Sequence, residues 1–323
     1  MRWLGGVDIG GTKCAVTIGK AHEDNVEIIA KAKFPTPAAP SDAIRLFVDS
    51  LTRLLTEHSQ VTLDAIGISC GGPLDSRSGL VLSPPNLPGW DGIDVVTPLR
   101  ARFGVPVGLQ NDANACALAE WKWGAGRGTR NMVFLTFGTG MGAGLILDGR
   151  LYAGTNDMAG EVGHMRMEHD GPVGYGKPGS FEGYCSGGGI AQLGRMKARE
   201  ALLHGAVPSF CESMEELDSL TTQRIGEAAR QGDPLAREIF HIVGEKLGHG
   251  LAILVDVLNP ERIVIGSIYG RQQPLLEPIV MKTLGEEALA YSMRACSIVP
   301  AGLGEAVGDL ASLSVALNLA EQA

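Results

Sequence analysis

The sequence predicts an α/β protein whose two halves repeat one design. An apolar strand, a tight turn of glycine and threonine, and a second apolar strand occupy residues 6–16 and recur over residues 134–146. Helices and strands alternate after the first hairpin, and Met132 begins the same order of elements again. A repeat of this size indicates an internal duplication.

The two turns have the chemistry of phosphate-binding turns. Glycine lets the backbone bend sharply and approach a ligand closely, and N–H groups and threonine hydroxyls in such a turn can hold phosphate oxygens. Only the first hairpin carries a carboxylate, Asp8, which suits a magnesium ion held through water. Two such hairpins facing each other predict a cleft for a nucleoside triphosphate. The predicted phosphate-binding residues are Gly10, Gly11, Thr12, Thr136, Gly138, Thr139 and Gly140.

The first half continues with strands and helices separated by prolines and glycines. Ser41 or Asp42 is the expected cap of its first helix. The predicted strands cover residues 26–34, 65–70 and 105–109, the predicted helices cover 41–58, 98–103 and 113–123, and residues 83–90 form an irregular loop.

The second half contains a long glycine-rich segment, residues 151–188, of the kind that carries function in compact enzymes. Helices at 191–204, 221–231, 234–258 and 278–290 and strands at 261–266 and 297–300 are predicted, and a last helix, 307–323, is expected to pack back on the first domain. The predicted domains are residues 1–113 with that last helix, and residues 114–306.

Composition excludes several classes of protein. The net charge of −9 and the pI of about 5.3 oppose general nucleic-acid binding, which needs basic surfaces. No apolar run reaches membrane-spanning length, and the first strand begins too early to leave room for a signal peptide. The six cysteines form no C-x-x-C pair and are expected to be reduced thiols. A cytoplasmic protein with no nucleic-acid or membrane partner is expected.

Asp112 follows a predicted strand at the beginning of a helix. A carboxylate there faces the crevice beyond the strand ends, where ligands bind in α/β folds, and it could accept a proton from a sugar hydroxyl. Asn111 or Asp112 could equally do no more than cap the helix. The residues alone leave both interpretations open.

Further polar residues could hold a polyol. Glu161 and His164 lie three residues apart, and Glu182 lies in a second glycine-rich loop. Together with Asn111 and Asp112 they offer the acceptors and donors that hydroxyl groups need. Any one of them alone could be a solvated loop residue, so the prediction depends on the group.

Four motifs, in order, resemble the signatures of the ROK family (repressor, ORF, kinase), and the match covers essentially the whole chain. A fifth stretch, residues 259–266, resembles the family's late nucleotide-side strand and ends at Gly266. The four motifs are Asp8-Ile9-Gly10-Gly11-Thr12, Asn111-Asp112-Ala113-Asn114-Ala115, Thr136-Phe137-Gly138-Thr139-Gly140-Met141-Gly142 and Ala159-Gly160-Glu161-Val162-Gly163-His164.

The resemblance implies the actin-like, hexokinase-type ATPase fold, with two duplicated α/β domains around a central cleft. It implies ATP- and magnesium-dependent phosphorylation of a sugar, with Asp112 as the general base, and a homodimer, since related kinases are often dimers. The residues that it places on or near the sugar are Gly71, Gly72, Asn86, Asn111, Glu161, His164 and Glu182.

The chain departs from the family at a zinc site. Many members bind zinc through the histidine that corresponds to His164 and three cysteines of a later loop. Val173, Tyr175 and Ser180 stand at the cysteine positions here, and valine cannot ligate zinc, while tyrosine and serine ligate it poorly. No structural zinc is therefore expected.

Packing should then hold the loop over residues 171–183. His169 and Cys185 have a spacing that fits no familiar zinc site. Val173, Tyr175 and Phe181 are expected to pack, with hydrogen bonds from the tyrosine as a further contribution.

A second departure leaves the phosphoryl donor open. Ser267 follows Gly266 where relatives usually have consecutive glycines, so the adenine side of the pocket has a different shape. A kinase that uses another donor, such as polyphosphate, remains an alternative. Glucose phosphorylated at O6 is the default reaction, while N-acetylmannosamine, N-acetylglucosamine, fructose, mannose and allose stay open as substrates.

Two alternative functions are not enzymatic. The family includes transcriptional regulators with a helix-turn-helix before the first strand, and Asp8 leaves no space for one. A sugar-sensing protein that has lost catalysis is compatible with the two departures, but the retained Asp8, Thr12, Asn111 and Asp112 argue against it.

Overall fold

The structure is a computed structural model that describes residues 1–23 and 25–322. Its contacts divide the chain into two compact units. The first unit holds residues 1–130, 144–159 and 302–323, and the second holds residues 131–143 and 160–301. The first unit thus continues beyond residue 113, where the sequence places a boundary. Ala323, the last residue of the predicted C-terminal helix, lies outside the described residues.

Strands and helices alternate along most of the chain. The described strands are β1 Arg2–Ile9, β2 Lys13–Ala21, β3 Val26–Pro35, β4 Ala65–Cys70, β5 Leu74–Asp75, β6 Leu80–Leu82, β7 Asp91–Asp94, β8 Val107–Asn111, β9 Met132–Phe137, β10 Met141–Leu147, β11 Arg150–Leu151, β12 Val173–Gly174, β13 Lys177–Pro178, β14 Arg262–Ile265 and β15 Ser297–Pro300. The described α-helices are α1 Pro40–Glu57, α2 Thr97–Phe103, α3 Asp112–Trp123, α4 Phe181–Tyr184, α5 Gly187–Leu203, α6 Thr222–Gln231, α7 Pro234–Leu258, α8 Ile268–Glu287, α9 Ala290–Ala295 and α10 Val307–Gln322.

Two five-stranded sheets share one topology. The first has the order β3-β2-β1-β4-β8 and the second the order β11-β10-β9-β14-β15. In the first, β1 pairs antiparallel with β2 and parallel with β4. In the second, β9, β14 and β15 run parallel while β10 and β11 form an antiparallel pair. The duplication predicted from the two hairpins is confirmed.

Helix α10 packs on the first sheet through close backbone approach. It contacts β1, β4 and α3, and most of its residues are buried. A Cβ atom at Gly67 would lie 2.0 Å from the Ser312 carbonyl oxygen, and one at Gly6 would lie 2.4 Å from the Ser312 Oγ. These strand positions therefore need glycine so that the helix can lie against the sheet.

Several predicted boundaries were wrong. Helix α1 begins at Pro40 after Ala39, with no side-chain cap from Ser41 or Asp42, because proline at the first helical position needs no partner for an N–H group. Strand β8 lies two residues later than predicted. The helix expected at 278–290 begins at Ile268, and α8 is kinked at the non-helical residue Gln272, just before Pro274.

The three-stranded sheet β5-β6-β7 and the short helix α9 had no sequence signal. These strands have two to four residues each, too few for a period to show. Among the described residues, no helix combines the length and apolar character required to cross a membrane.

Candidate functional site

A cavity of about 150 Å³ in the first unit collects seven of the predicted site residues. They are Asp8, Gly10, Gly11, Gly71, Gly72, Asn86 and Asp112. The rest of its lining is formed by Ile9, Cys70, Pro84, Pro85 and Leu87.

Strand register brings these residues together. Ile9 at the end of β1 pairs with Cys70 at the end of β4, and Cys70 pairs with Asn111 at the end of β8. All three strands are parallel, so their carboxyl ends meet at one edge of the sheet. Ligands bind at such an edge in open α/β folds, and the carboxylates of Asp8 and Asp112 both lie there.

Two kinds of glycine shape the cavity. A Cβ atom at Gly11 would lie 2.4 Å from the carbonyl oxygen of Asn86, so only glycine lets the first turn approach the loop of residues 83–90. Gly71 and Gly72 have nothing within 4 Å of such an atom. They leave open space on the cavity side, where a ligand can come close to the backbone.

Asp8 is a carboxylate in an unfavourable environment for charge. Burial, followed by the negative charges of Asp112 and Asp309, raises its pKa to about 6, against the opposing effect of Lys31 and Lys33. No side chain in the described part of the chain donates a hydrogen bond to it. A cation bound here would relieve the repulsion between Asp8 and Asp112.

The end of β8 divides two roles between neighbouring residues. Asn111 caps α3, and its Oδ1 accepts the Asn114 N–H at 2.7 Å. Asp112 Oδ1 accepts the adjacent Ala113 N–H at 2.8 Å, and the other donor to this carboxylate among the described groups is the backbone N–H of Asp112 itself. The capping interpretation is therefore correct for Asn111, and its amide nitrogen remains available to a ligand, while the carboxylate of Asp112 faces the cavity.

The environment of Asp112 suits a base. Solvent reaches its side chain through the cavity, yet the protein around it raises the pKa of this carboxyl through lost hydration, with the Ala113 N–H opposing. A base works best when its pKa is closer to the working pH than that of an ordinary carboxylate.

The oxygen groups of this site fit Mg²⁺. Magnesium is commonly held by one or two carboxylates together with substrate phosphates and water, and Asp8 offers such a carboxylate with no competing hydrogen bond among the described residues. No group of three or more His, Cys, Asp or Glu side chains able to hold a metal occurs in the described residues. A metal here would thus depend on the substrate for part of its ligands.

The second turn is held by its own backbone and by a carboxylate. The Gly138 N–H donates to the Gly140 carbonyl oxygen at 3.2 Å, and Glu182 Oε2 accepts the Met141 N–H at 3.0 Å. A Cβ atom at Gly140 would lie 2.9 Å from the same Oε2 atom. Glu182 is therefore brought directly against the second glycine turn.

The two threonines of this hairpin are placed differently. Thr136 Oγ1 accepts the Gly142 N–H at 2.9 Å, so it braces the hairpin. Thr139 is exposed at the tip of the turn. Thr12, at the corresponding turn of the first unit, is also exposed. The two exposed hydroxyls are the ones open to a phosphate.

Glu161 directly precedes a short 3-10 helix, Val162–His164, that ends at His164, and both residues are exposed. A Cβ atom at Gly163 would lie 3.2 Å from the Glu182 Cβ atom. The second unit thus brings Glu161, His164 and Glu182 into one region beside the second turn.

The expectation for the loop over residues 171–183 was partly wrong. Phe181 is fully buried as expected, but Val173 is 42% exposed and Tyr175 is 74% exposed. Strands β12 and β13 form a hairpin whose turn residues, Tyr175 and Gly176, have φ values of 44° and 75°. Such a two-residue turn needs positive φ at its central residues, and the exposed Val173 and Tyr175 leave Phe181 as the packed residue among the three.

Gly266 and Ser267 follow β14. The Gly266 N–H donates to the Leu135 carbonyl oxygen at 2.9 Å. Ser267 has φ 53° and ψ −108°, a conformation that side chains rarely adopt, and its Oγ lies 3.5 Å from the position of a Cβ atom at Gly138. The serine that replaces the family's glycine therefore stands in a strained backbone.

Replacing Ser267 by glycine is expected to raise the free energy of unfolding by about 1 kcal/mol, because strain at such a residue costs about 1–3 kcal/mol and glycine's extra unfolded-state entropy returns about 0.5–1 kcal/mol. Urea denaturation of both proteins measures the change. Ser292→Gly, within helix α9, is the matched control and should destabilise. A Ser267→Gly protein less stable than the wild type would show that the strain is absent.

Some site features had no sequence signal. Cys70, Pro84, Pro85 and Leu87 form cavity walls, but their types resemble ordinary core and loop residues. Lys31, Lys33 and Asp309, which shift the pKa of Asp8, lie far from it in sequence, and only the fold brings them near.

Comparison with known proteins agrees with this geometry. The model of the ROK family matches residues 4–319. A glucokinase of Streptomyces coelicolor is 31% identical over 318 residues, which are 96% of each chain. The crystal structure of a ROK family glucokinase from Streptomyces griseus, in complex with glucose and AMPPNP, is 30% identical with a TM-score of 0.73 and covers 98% of this chain and 99% of that one.

A repressor is also similar. The transcriptional repressor Mlc of Escherichia coli is 32% identical over 233 residues, which are 71% of this chain and 55% of Mlc. The full-length matches to glucokinases support a sugar kinase. The fold is the actin-like, hexokinase-type ATPase fold that the resemblance implies.

Proposed function

Since this chain belongs to the ROK family, we propose that it is an ATP-dependent hexokinase that phosphorylates glucose at O6. The observation that carries the proposal is the cavity in which Asp112, with a raised pKa, lies beside Asp8. One carboxylate is free to take a proton, and the other is suited to a cation. Phosphoryl transfer needs little more than such positioning and charge neutralisation.

Asp112 accepts the proton of the sugar's primary hydroxyl as the phosphoryl group transfers. The Asn111 amide nitrogen, Asn86 and the open backbone at Gly72 supply further polar contacts to the sugar. In the second unit, Glu161, His164 and Glu182 bind sugar hydroxyls. Asp8 would hold magnesium through water, and the bound ion would neutralise charge on the phosphates.

The turns bind phosphate oxygens through backbone N–H groups and exposed hydroxyls. Gly10, Gly11 and Thr12 do so in the first unit, and Gly138, Thr139 and Gly140 do so in the second. Thr136 contributes by holding the shape of its hairpin, since its Oγ1 accepts the Gly142 N–H. Gly266 lies on the nucleotide side, where its N–H group keeps β14 against β9.

The similarity to Mlc favours a second candidate, a sugar-responsive regulator without catalysis. That similarity covers only 55% of Mlc, whereas the glucokinase match covers 96% of its relative. The kinase is therefore the primary proposal.

The proposal also includes a cytoplasmic location and a homodimer. Light scattering that gives twice the chain mass of 33.9 kDa would support the dimer.

A coupled assay of ADP release tests the proposal. With Mg-ATP as the donor, the assay compares six sugars: glucose, N-acetylmannosamine, N-acetylglucosamine, fructose, mannose and allose. In a parallel series polyphosphate replaces ATP, and the sugar phosphate formed is measured. Glucose with ATP should give the highest kcat/KM. A higher kcat/KM for an amino sugar would refute glucose as the substrate but not the kinase activity. Sugar binding detected by calorimetry, without turnover from either donor, would favour the regulator.

A further inference from the structure

The segment that carries the proposed sugar-binding residues of the second unit has little regular structure. Between Glu161 and Glu182 it contains one 3-10 turn and one hairpin of two-residue strands. Fixing each residue of such a segment costs conformational entropy, which contacts from other residues must offset. The zinc site that the family implies does not fit here, because Val173, Tyr175 and Ser180 supply no thiolate.

Arg166 joins the two sides of this segment. Its Nη1 atom lies within hydrogen-bond distance of three backbone carbonyl oxygens, those of Glu168 at 3.2 Å, His169 at 3.1 Å and Pro178 at 3.2 Å. The first two precede the hairpin and the third lies in β13. A planar guanidinium holds such a set of acceptors in a fixed arrangement.

Gln192 fastens the same hairpin to helix α5. Its Oε1 atom accepts the Val173 N–H at 3.0 Å, and its Nε2 atom donates to the Val173 carbonyl oxygen at 2.9 Å. The side-chain amide thus pairs with β12 as a neighbouring strand would. Because Gln192 lies on a helix of 17 residues, the hairpin is tied to a rigid element.

The hairpin in turn fixes both ends of the proposed sugar site. Lys177 Nζ donates to the His164 carbonyl oxygen at 2.7 Å. Buried Ser180 caps α4, where its Oγ accepts the Gly183 N–H at 3.1 Å, and α4 carries Glu182. A displacement of the hairpin would therefore move His164 and Glu182 together.

We propose that Arg166 and Gln192 are positioning residues for sugar binding, and that their side chains order this segment in place of a metal ion. This inference rests on the proposed function in taking His164 and Glu182 as sugar ligands. Neither positioning residue touches the sugar. They act through the hairpin, so their loss weakens sugar binding and leaves the first unit's cavity intact.

Kinetics of Arg166→Ala and Gln192→Leu test the role. Each variant loses hydrogen bonds that hold the hairpin in place, so KM for the sugar should rise about three- to tenfold, and by more than KM for ATP does. Gln192→Glu keeps the acceptor for the Val173 N–H and should fall between wild type and Gln192→Leu. Arg199→Ala, on the exposed face of α5, removes the same charge and should leave both KM values unchanged.

Hydrogen–deuterium exchange tests the same inference without activity. Amides of residues 171–181 should exchange faster in Arg166→Ala and Gln192→Leu than in wild type and in Arg199→Ala. Treatment of the wild-type protein with 1,10-phenanthroline, followed by its removal, should leave the exchange unchanged, and metal analysis should find no stoichiometric zinc.

The outcomes separate this inference from the proposed function. If the wild type phosphorylates no sugar, the exchange and zinc results still decide whether the two side chains order the segment. Unchanged exchange in both variants, or one zinc per chain, would overturn the inference even in an active kinase. Faster exchange with an unchanged sugar KM would overturn the positioning role.

Discussion

Replacing Asp112 by asparagine is expected to lower kcat for sugar-dependent ADP release by a factor of about 10²–10⁴, the usual contribution of a general base. Asparagine is nearly isosteric but cannot accept a proton at neutral pH. Its amide oxygen can still accept the Ala113 N–H, which lies 2.8 Å from Asp112 Oδ1. The fold and the cap at Asn111 should therefore persist, and steady-state kinetics measures the loss.

The control for this variant is Asp91→Asn, because Asp91 is an exposed carboxylate in β7. It removes the same charge from the same unit and should keep full activity. Thermal denaturation should show that both variants are folded. Turnover of the Asp112→Asn protein within about threefold of wild type would refute the role of base, since that role requires at least the hundredfold loss.

Asp8→Asn should have opposite effects on activity and stability. Activity should fall because the neutral amide binds a hydrated cation poorly. The free energy of unfolding should rise at neutral pH, because the variant no longer holds a charge that burial and the nearby Asp112 and Asp309 disfavour. A shift of the pKa of Asp8 from 3.8 to about 6 corresponds to a gain of up to about 3 kcal/mol.

The pH dependence gives this prediction its sign. The folded wild type binds the Asp8 proton more tightly than the unfolded chain does, so the stability contributed by the protonated group is present below about pH 4 and is lost as the pH rises through about 6. The advantage of Asp8→Asn should therefore grow by about 1 kcal/mol between about pH 5 and about pH 8. Urea denaturation of both proteins at each pH measures it.

Asp91→Asn serves again as the control, and its stability relative to wild type should not change in this manner, because Asp91 is exposed. An Asp8→Asn protein that is less stable than wild type at about pH 8 would contradict the electrostatic description of the cavity. An equal difference in the free energy of unfolding between Asp8→Asn and wild type at both pH values would also contradict that description.

Elements bounded by strong breakers were predictable from the sequence. Strand β4, helix α7 and strand β15 have the predicted bounds, because glycine or proline marks at least one end and apolar residues fill each. Helix α8 was missed over its first half because its two prolines read as breakers. The backbone is indeed non-helical at Gln272, two residues before Pro274, but the helix resumes on both sides of this kink.

The site was predictable as far as motifs define it. Asp8, the glycine turns and Asp112 lie in ordered signatures, and seven predicted residues meet in one cavity. The division of roles between Asn111 and Asp112 depends on side-chain direction, which the sequence does not contain. The loop of residues 171–183 was misjudged because apolar types suggested packing, whereas a tight turn exposes Tyr175.

The most direct test of the central claim is ³¹P NMR of the wild-type protein incubated with glucose and Mg-ATP. Transfer to a sugar hydroxyl with Asp112 as base should produce ADP and one phosphate monoester, at O6 of glucose, in equal amounts. ATP that stays intact with every hexose tested, or that yields ADP and inorganic phosphate without a sugar phosphate, would contradict the claim.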